Sequence, residues 1–213
     1  MSPAVAVPVP GGLLDADLVP PAAGRGLVLF AHGSGSSRAS ARNAHVADVL
    51  QQAGIGTVLL DLLTPAEVER DRLSEEHRFD IPLLGRRVGA AVAWADQLGV
   101  VDHPGGIGLF GASTGAAAAL IAAAEHPHTV GAVVCRGGRP DLAHAVLPRV
   151  VAPVLFIAGG DDGAIVEMAG DAMVRLGGRA RLHVIPGATH LFAEPGAMEE
   201  VAVLAREWFM DVL

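Results

Sequence analysis

Short apolar segments alternate with helix-forming segments along almost the whole chain, and this alternation limits the fold more than any other feature. Six runs have the length and apolar character of buried parallel strands. They are Leu27–Ala31, Gly56–Asp61, Gly106–Phe110, Val130–Cys135, Val154–Ala158 and Arg181–Ile185. Regular alternation of strand and helix predicts an α/β fold, in which a doubly wound, mostly parallel sheet of seven or eight strands has helices on both faces.

The segments between the strands carry the residues that begin and end helices. Ser40 and Asp80 are suited to cap two helices, which Gly54 and Gly99 would end. Three more helices are predicted over Thr114–Glu125 and near Ile165–Leu176 and Met198–Leu213. The first of these is rich in alanine, which favours close packing on a sheet.

The N-terminal region has a different pattern. Val5–Val9 and Leu13–Leu18 flank a Pro-Gly-Gly turn, which predicts an antiparallel hairpin over residues 1–20 at the leading edge of the sheet. We expect a single domain over residues 1–213 without a large cap domain. The charge-dense segment 62–79 is expected to be a loop, either at the rim of the pocket or as a solvated surface segment.

Composition excludes several classes of chemistry. All 15 cationic residues are arginine, and tyrosine is absent as well. Without lysine there is no pyridoxal Schiff base, no lysine nucleophile and no P-loop of the Walker kind, and a Tyr–Lys proton relay is excluded too. The single cysteine, Cys135, excludes an intrachain disulfide and a Cys-rich zinc site.

The net charge and hydropathy of the chain indicate which partners and which cellular location to expect. The 15 arginines against 23 acidic residues give a net charge of −8, which argues against a nucleic-acid or anionic-membrane surface. The start of the chain, Met1–Pro10, has no basic region and contains three prolines, so it does not resemble a signal peptide. No apolar run approaches the roughly 18 residues that span a bilayer. We expect a cytoplasmic protein.

One strand is followed by a sequence that carries chemistry. After Gly106–Phe110 comes the G-x-S-x-G motif from Gly111 to Gly115, and then the predicted helix. In this context the serine sits on a sharp turn that lifts its hydroxyl above the sheet, and the glycines avoid collisions with neighbouring backbone. The helix N-terminus favours a developing anion. Ser113 is therefore the candidate nucleophile.

A serine nucleophile needs a base, and the base needs a carboxylate that orients it. His190 follows the last predicted strand and is the natural base, whereas His32 is interpreted as a structural histidine that holds its loop. Asp161 and Asp162 follow the strand before that, and either can orient the base. The order Ser113, Asp162, His190 is the order of the triad in α/β-hydrolases.

Two further strand ends supply candidate binding groups. The loop from His32 to Ser36 follows the first parallel strand, and we expect the Ser34 and Thr114 amides to form an oxyanion hole. Arg136 and Arg139 follow the fourth strand, on the same side of the sheet. One of these arginines is expected to bind a substrate carboxylate; the alternative is a solvated loop.

With these features at four strand ends, the chain resembles the α/β-hydrolase superfamily, and within it the dienelactone-hydrolase-like group, over about Leu27 to Leu213. The resemblance implies that Ser113 is the nucleophile, Asp162 the acid of a Gly-x-x-Asp turn, and His190 the base. Members of the group are expected to have a cysteine nucleophile, and this chain has Ser113 in its place.

Together these features predict a carboxylic ester hydrolase that cleaves an ester or lactone through an acyl-enzyme, with no cofactor and no metal. The pair His126 and His128 is interpreted as part of a surface turn. A thioesterase or acyltransferase of the same fold, and a non-catalytic ligand-binding protein, remain as alternatives. The expected partner is a small-molecule ester or lactone; no nucleic acid or membrane is expected, and a homodimer is left open.

Overall fold

The strands form one sheet in the computed structural model, which describes residues 4–103 and 105–213. Within these residues the sheet has eight strands in the order β1-β2-β4-β3-β5-β6-β7-β8. They are β1 (Ala4–Val9), β2 (Gly12–Val19), β3 (Leu27–Ala31), β4 (Gly56–Leu60), β5 (Ile107–Ala112), β6 (Val130–Arg136), β7 (Val154–Gly159) and β8 (Ala180–Ile185). β1 and β2 pair antiparallel at one edge and the other strands are parallel, so the predicted sheet is confirmed.

Helices cover both faces of this sheet. The helices of the described part of the chain are α1 (Ala41–Gln52), α2 (Pro65–Ser74), α3 (Ile81–Gln97), α4 (Thr114–Glu125), α5 (Gly163–Arg175) and α6 (Ala197–Val212). One core cluster joins the sheet to α3, α4 and α5, and a second joins its other face to α1 and α6. None of the helices described is long and apolar enough to cross a membrane.

Alternation of side chains along each strand explains the two cores. In β3, Leu27, Leu29 and Ala31 belong to the first cluster, whereas Val28 and Phe30 belong to the second. Successive side chains of a strand point to opposite faces, so a strand covered on both faces is apolar throughout. This is why the parallel strands appear in the sequence as continuous apolar runs rather than as alternating ones.

The predicted helix boundaries have the expected caps. The Ser40 side chain accepts from the Asn43 N–H at 3.4 Å, and the Asp80 carboxylate accepts from the Leu83 N–H at 2.9 Å. The hairpin also forms as predicted, apart from residues 1–3, which lie outside the described residues.

The prediction of a loop over residues 62–79 is wrong. This segment contains α2 and a short 3₁₀ helix, His77–Phe79. Thr64 and Glu67 form a capping box, in which each side chain accepts from the other residue's N–H. The buried guanidinium of Arg87 then binds Glu67 at 2.7 Å and the carbonyl oxygen of Pro10 at 2.7 Å, which attaches the helix to α3 and to the hairpin.

Candidate active site

The turn between β5 and α4 places Ser113 at the carboxyl edge of the sheet. Ser113 has a φ of 51°, a backbone conformation that side-chain-bearing residues rarely adopt and that often marks functional sites. Glycines surround it because there is no room for a Cβ: one at Gly111 would overlap the backbone of Ala116, and one at Gly115 would overlap the carbonyl of Ala31. The geometry is the strained turn that the motif predicts.

Ser113, His190 and Asp162 form a continuous chain of contacts. His190 Nε2 lies 3.3 Å from Ser113 Oγ, and His190 Nδ1 lies 2.6 Å from Asp162 Oδ2. A carboxylate only accepts hydrogen bonds, so Nδ1 of His190 carries a proton and donates a hydrogen bond to Asp162. The lone pair of Nε2 then faces the serine hydroxyl, which is the arrangement that removes a proton from a nucleophile.

The structure distinguishes the two neighbouring aspartates. The carboxylate of Asp162 contacts His190, whereas Asp161 is exposed and contributes its backbone N–H to the carbonyl of Ala188 at 3.0 Å. Asp162 follows β7 by a tight turn, closed by a bond from its N–H to the carbonyl of Gly159 at 3.1 Å. The turn aims the second aspartate, and not the first, at the imidazole.

Sequence reasoning missed a side chain that shapes the loop around His190. The carboxylate of Glu194 accepts from the N–H of Thr189 at 3.1 Å and from its hydroxyl at 2.6 Å. The hydrogen bonds from Thr189 hold the pKa of Glu194 below its ordinary value. Phe192, within the same loop, has a φ of 53°. These hydrogen bonds join residues five apart in an irregular loop, and no periodic pattern in the sequence marks such a pair.

The loop after β3 differs from the prediction in one respect. The Ser34 N–H donates to Thr114 Oγ1 at 2.9 Å, so this amide is already engaged and is not the free oxyanion donor that we expected. The reason is that the Thr114 hydroxyl, at the start of α4, reaches across to the loop. The Thr114 N–H lies in the first turn of α4, where amides have no partner within the helix.

His32 holds this loop in place. Its Nε2 accepts from the Leu62 N–H at 3.2 Å, so the proton lies on Nδ1, which donates to the Gly33 carbonyl at 2.9 Å. Burial lowers the pKa of His32 below 6.5, against the raising effects of the Gly33 bond and of the charge on Asp61. With both ring nitrogens occupied, His32 is a structural residue, as the sequence indicated.

The two candidate arginines have different surroundings. Arg139 binds Asp141 through two hydrogen bonds of 2.8 and 2.7 Å and is not among the residues that line the cavity at Ser113. That one of the two arginines binds substrate stays a prediction. Only the backbone of Arg139 serves the site, where its N–H donates to the Ser113 carbonyl at 3.1 Å. Arg136 is 6% exposed and lines that cavity.

The cavity at the nucleophile is small and polar. It has a volume of about 220 Å³, and its lining includes Ser113, His190, Arg136, Asn43, Arg42 and Ser34. Over residues 4–103 and 105–213, no group of three His, Cys, Asp or Glu side chains is arranged to hold a metal. Cys135 is fully buried, which raises the pKa of its thiol, so it is not a second nucleophile.

Comparison with known proteins identifies the family of the chain. The model of the dienelactone hydrolase family matches residues 63–212, well over half of the chain. The chain belongs to the dienelactone hydrolase family. The crystal structure of a dienelactone hydrolase from Anabaena variabilis is 52% identical, covers 100% of this chain and 98% of its own, and superposes with a TM-score of 0.95. Est1E from Butyrivibrio proteoclasticus, 18% identical over 99% of this chain and 98% of its own, shares the fold with a TM-score of 0.82.

This member of the dienelactone hydrolase family also matches part of a longer protein. A Mycobacterium tuberculosis protein with the provisional name of a phosphoribosyl transferase is 52% identical over 210 residues, which are 98% of this chain and 45% of that protein. The chain therefore spans less than half the length of that curated relative. Family membership and fold together place the chain among dienelactone-hydrolase-like proteins.

Proposed function

We propose that the protein hydrolyses a carboxylic ester or lactone through a covalent acyl-enzyme on Ser113. The observation that carries the proposal is the chain of contacts from Ser113 Oγ through His190 to Asp162, with separations of 3.3 and 2.6 Å. Catalytic hydrogen bonds are often long before substrate binds, so the longer distance is compatible with proton transfer.

In the first half-reaction, Ser113 Oγ attacks the carbonyl carbon while His190 Nε2 takes the hydroxyl proton. The tetrahedral intermediate collapses, the bond from carbon to the leaving oxygen breaks, and His190 returns the proton to that oxygen. Asp162 accepts from Nδ1 throughout, which orients the imidazole and stabilises its protonated form. A lactone keeps its new hydroxyl on the acyl group, whereas an ester releases an alcohol.

In the second half-reaction, water attacks the acyl carbon and gives its proton to His190. The bond to Ser113 Oγ breaks, the serine recovers a proton, and the free acid leaves. The Thr114 N–H at the start of α4 supports the oxyanion in both halves. Because the Ser34 amide donates to the Thr114 hydroxyl, that hydroxyl also fixes the position of the loop after β3.

The name of the mycobacterial relative does not change this proposal. It describes a protein of which this chain matches 45%, whereas the match to the Anabaena dienelactone hydrolase covers both chains almost completely.

Release of p-nitrophenol from short p-nitrophenyl esters tests the proposal. We expect turnover that Ser113→Ala abolishes and that Asp162→Asn reduces by about 10⁴-fold, since the wrong imidazole tautomer then faces the serine. Asp161→Asn is the matched control, because its carboxylate does not contact His190, and it should leave the rate within about twofold of the wild type.

Three outcomes would redirect the proposal. Equal losses in Asp161→Asn and Asp162→Asn would contradict the assignment of the acid. Turnover of a p-nitrophenyl ester that survives in Ser113→Ala would contradict the nucleophile. A thioester that is hydrolysed much faster than the matching oxygen ester would keep the mechanism and replace the substrate class by thioesters.

A further inference from the structure

A second, larger space adjoins the cavity at Ser113 on the side of the loop that follows His190. We call it the Leu191 groove; its volume is about 590 Å³, against about 220 Å³ for the cavity. The two spaces share four lining residues, which are Ser36, Ser40, Arg42 and Leu191. A molecule that is held at the nucleophile can therefore extend past Leu191 into the groove.

The wall that the loop contributes to the Leu191 groove is largely apolar. Apolar residues along it are Leu191, Ala193, Pro195 and Met198. Leu191 is 50% exposed, although it is a large apolar side chain directly after His190. Apolar side chains that line a depression next to polar, reactive groups are typical of ligand-binding sites. This wall has the chemistry to hold a hydrocarbon group.

Hydrogen bonds hold the same wall in shape before any ligand binds. Thr189 donates its N–H and its hydroxyl to the Glu194 carboxylate at 3.1 and 2.6 Å. The Phe192 N–H donates to the Thr189 carbonyl at 3.1 Å, and the Ala197 N–H donates to the Glu194 carbonyl at 3.0 Å. The Phe192 side chain is 1% exposed and packs in the second core cluster. A wall that is already formed costs little ordering when a ligand binds.

The chemistry of the triad decides which half of an ester lies in the Leu191 groove. The argument rests on the proposed function, in which His190 takes the proton of Ser113 and returns it to the leaving oxygen. That oxygen must come within hydrogen-bond distance of His190 Nε2. The leaving group therefore starts beside His190, and Leu191, the next residue in the chain, lines both the cavity and the groove.

We propose that the Leu191 groove binds the alcohol half of an ester and selects a neutral, apolar alcohol. The carboxylates of Glu194 and Glu199 line the groove together with Arg42, so its charges give an anionic alcohol no net attraction. The acid half lies in the small cavity at Ser113, so it is short. The substrate class is an ester of a short acid with an alkyl or aryl alcohol of several carbons. A small lactone leaves the groove unused.

Two isomeric esters test which half lies in the groove. Hexyl acetate and ethyl hexanoate contain the same atoms, but the long chain belongs to the alcohol in the first and to the acid in the second. Burial of one methylene raises affinity about fourfold. Because a hexyl group has four more methylenes than an ethyl group and the groove covers them in part, we expect kcat/KM to be at least about tenfold higher for hexyl acetate. Release of acid, followed with a pH indicator, measures both rates.

Ala193→Trp fills the groove, so the ratio of the two kcat/KM values should fall to within about twofold of one. Ala23→Trp is the matched control, because Ala23 is also exposed but precedes β3, at the opposite edge of the sheet; its ratio should equal that of the wild type.

Leu191→Ala keeps the test available if Ala193→Trp does not fold, since the side chain of Leu191 is half exposed. Loss of its apolar contact should lower the ratio about threefold. A ratio near one in the wild type, or a full preference for hexyl acetate in both variants, would overturn the proposal.

Binding of 1-hexanol to Ser113→Ala measures the groove without chemistry. Met198 lines the groove, so its ¹³C-labelled methyl group, assigned by comparison with Met198→Leu, reports on an occupant in NMR spectra. We expect 1-hexanol to shift this signal, ethanol to leave it in place, and Ala193→Trp to remove the shift.

The two measurements distinguish a failure of the groove from a failure of the proposed function. If the wild type hydrolyses neither isomer nor any short p-nitrophenyl ester, but 1-hexanol shifts the Met198 signal in this way, the proposed function fails and the groove stands. If p-nitrophenyl esters are hydrolysed while the isomers react equally and the signal does not move, the groove fails and the function stands. No hydrolysis together with no shift overturns both.

Discussion

Two buried arginines lie in different regions of the protein and have opposite environments. Arg87, on α3, is 3% exposed and binds the carboxylate of Glu67 and the carbonyl of Pro10, and only its Nε has no partner among the described residues. Arg136, at the end of β6, is 6% exposed and has no hydrogen-bond partner for two of its nitrogens within the described residues. The two residues are equally buried, so burial alone does not reveal their roles.

The difference shows where a buried charge joins neighbouring elements and where a buried charge is left without such partners among the described residues. Around Arg87, three elements meet: the hairpin, α2 and α3. A cation that binds a partner from each neighbour holds them together. Arg136 also lines the cavity at Ser113, and among the described residues its Nε and Nη1 have no hydrogen-bond partner. Substitutions at the two sites should therefore change different properties.

The largest effect on stability is expected from Arg87→Met. The change leaves Glu67 without its cation and Pro10 without a donor, so we expect a loss of about 3 kcal/mol in the free energy of unfolding. Urea denaturation followed by circular dichroism measures it. The neighbouring, exposed Arg86 is the matched control, and Arg86→Met should change stability by less than about 0.5 kcal/mol. Equal effects at the two positions would remove the structural role assigned to Arg87.

A second buried ion pair in the same region should respond to pH. The Asp71 carboxylate accepts from the N–H groups of His77 and Arg78 and from the Arg78 side chain, at 2.8, 3.0 and 2.6 Å. Burial acts to raise the pKa of Asp71, but the bonds and charge of Arg78 outweigh it and hold the pKa below 3.8. We expect Asp71→Asn to cost about 2 kcal/mol at pH 7.

The sign of the pH dependence follows from the lowered pKa. The stabilisation by Asp71 is complete above pH 3.8, which is the ordinary pKa of an aspartate. It is lost as the pH falls through the lower pKa of the folded state. Urea denaturation from pH 7 to 3 should show a constant gap between wild type and Asp71→Asn that closes only below 3.8. Glu75→Gln is the control, because Glu75 also binds Arg78 but is 62% exposed, and its effect should be small. A gap that widens in acid would contradict the account.

The smallest effect on stability is expected from Arg136→Met. This substitution sharpens the comparison of Arg136 with Arg87. Removal of an unpartnered buried charge relieves a desolvation cost, so the free energy of unfolding should stay equal or rise by about 1 kcal/mol. Thermal and urea denaturation of the unliganded protein measure it. A loss as large as that of Arg87→Met would mean that Arg136 is a structural residue like Arg87, and the contrast between the two arginines would fail.

The sheet could be predicted well from the sequence, because the evidence for each strand and each helix cap lies within a few neighbouring residues. Each parallel strand is covered on both faces, so it appears as one apolar run, and Ser40 and Asp80 cap helices through bonds only three residues away. Helix α2 was not predicted, because the many charged residues of this segment drew attention away from the capping residues at its start. Thr64 and Glu67 form a capping box, but the helix depends on Arg87, twenty residues further along the chain.

The same distinction applies to the site. The turn at Ser113 was predictable because the motif and its strand–turn–helix context are contiguous. The residues alone left Asp161 and Asp162 open and only the resemblance implied Asp162, because the choice depends on how the turn after β7 aims two adjacent carboxylates. The bond from the Ser34 amide to the Thr114 hydroxyl joins residues 80 apart, and it appears only when the loop and the helix have been brought together.

Covalent labelling of Ser113 tests the central claim most directly. The wild type is incubated with a fluorophosphonate, and intact protein is weighed by mass spectrometry beside Ser113→Ala and Asp162→Asn. The account predicts one adduct per chain on the wild type, none on Ser113→Ala, and much slower labelling of Asp162→Asn. Labelling that persists in Ser113→Ala, or a folded wild type that is never labelled, would contradict the claim that His190 activates Ser113.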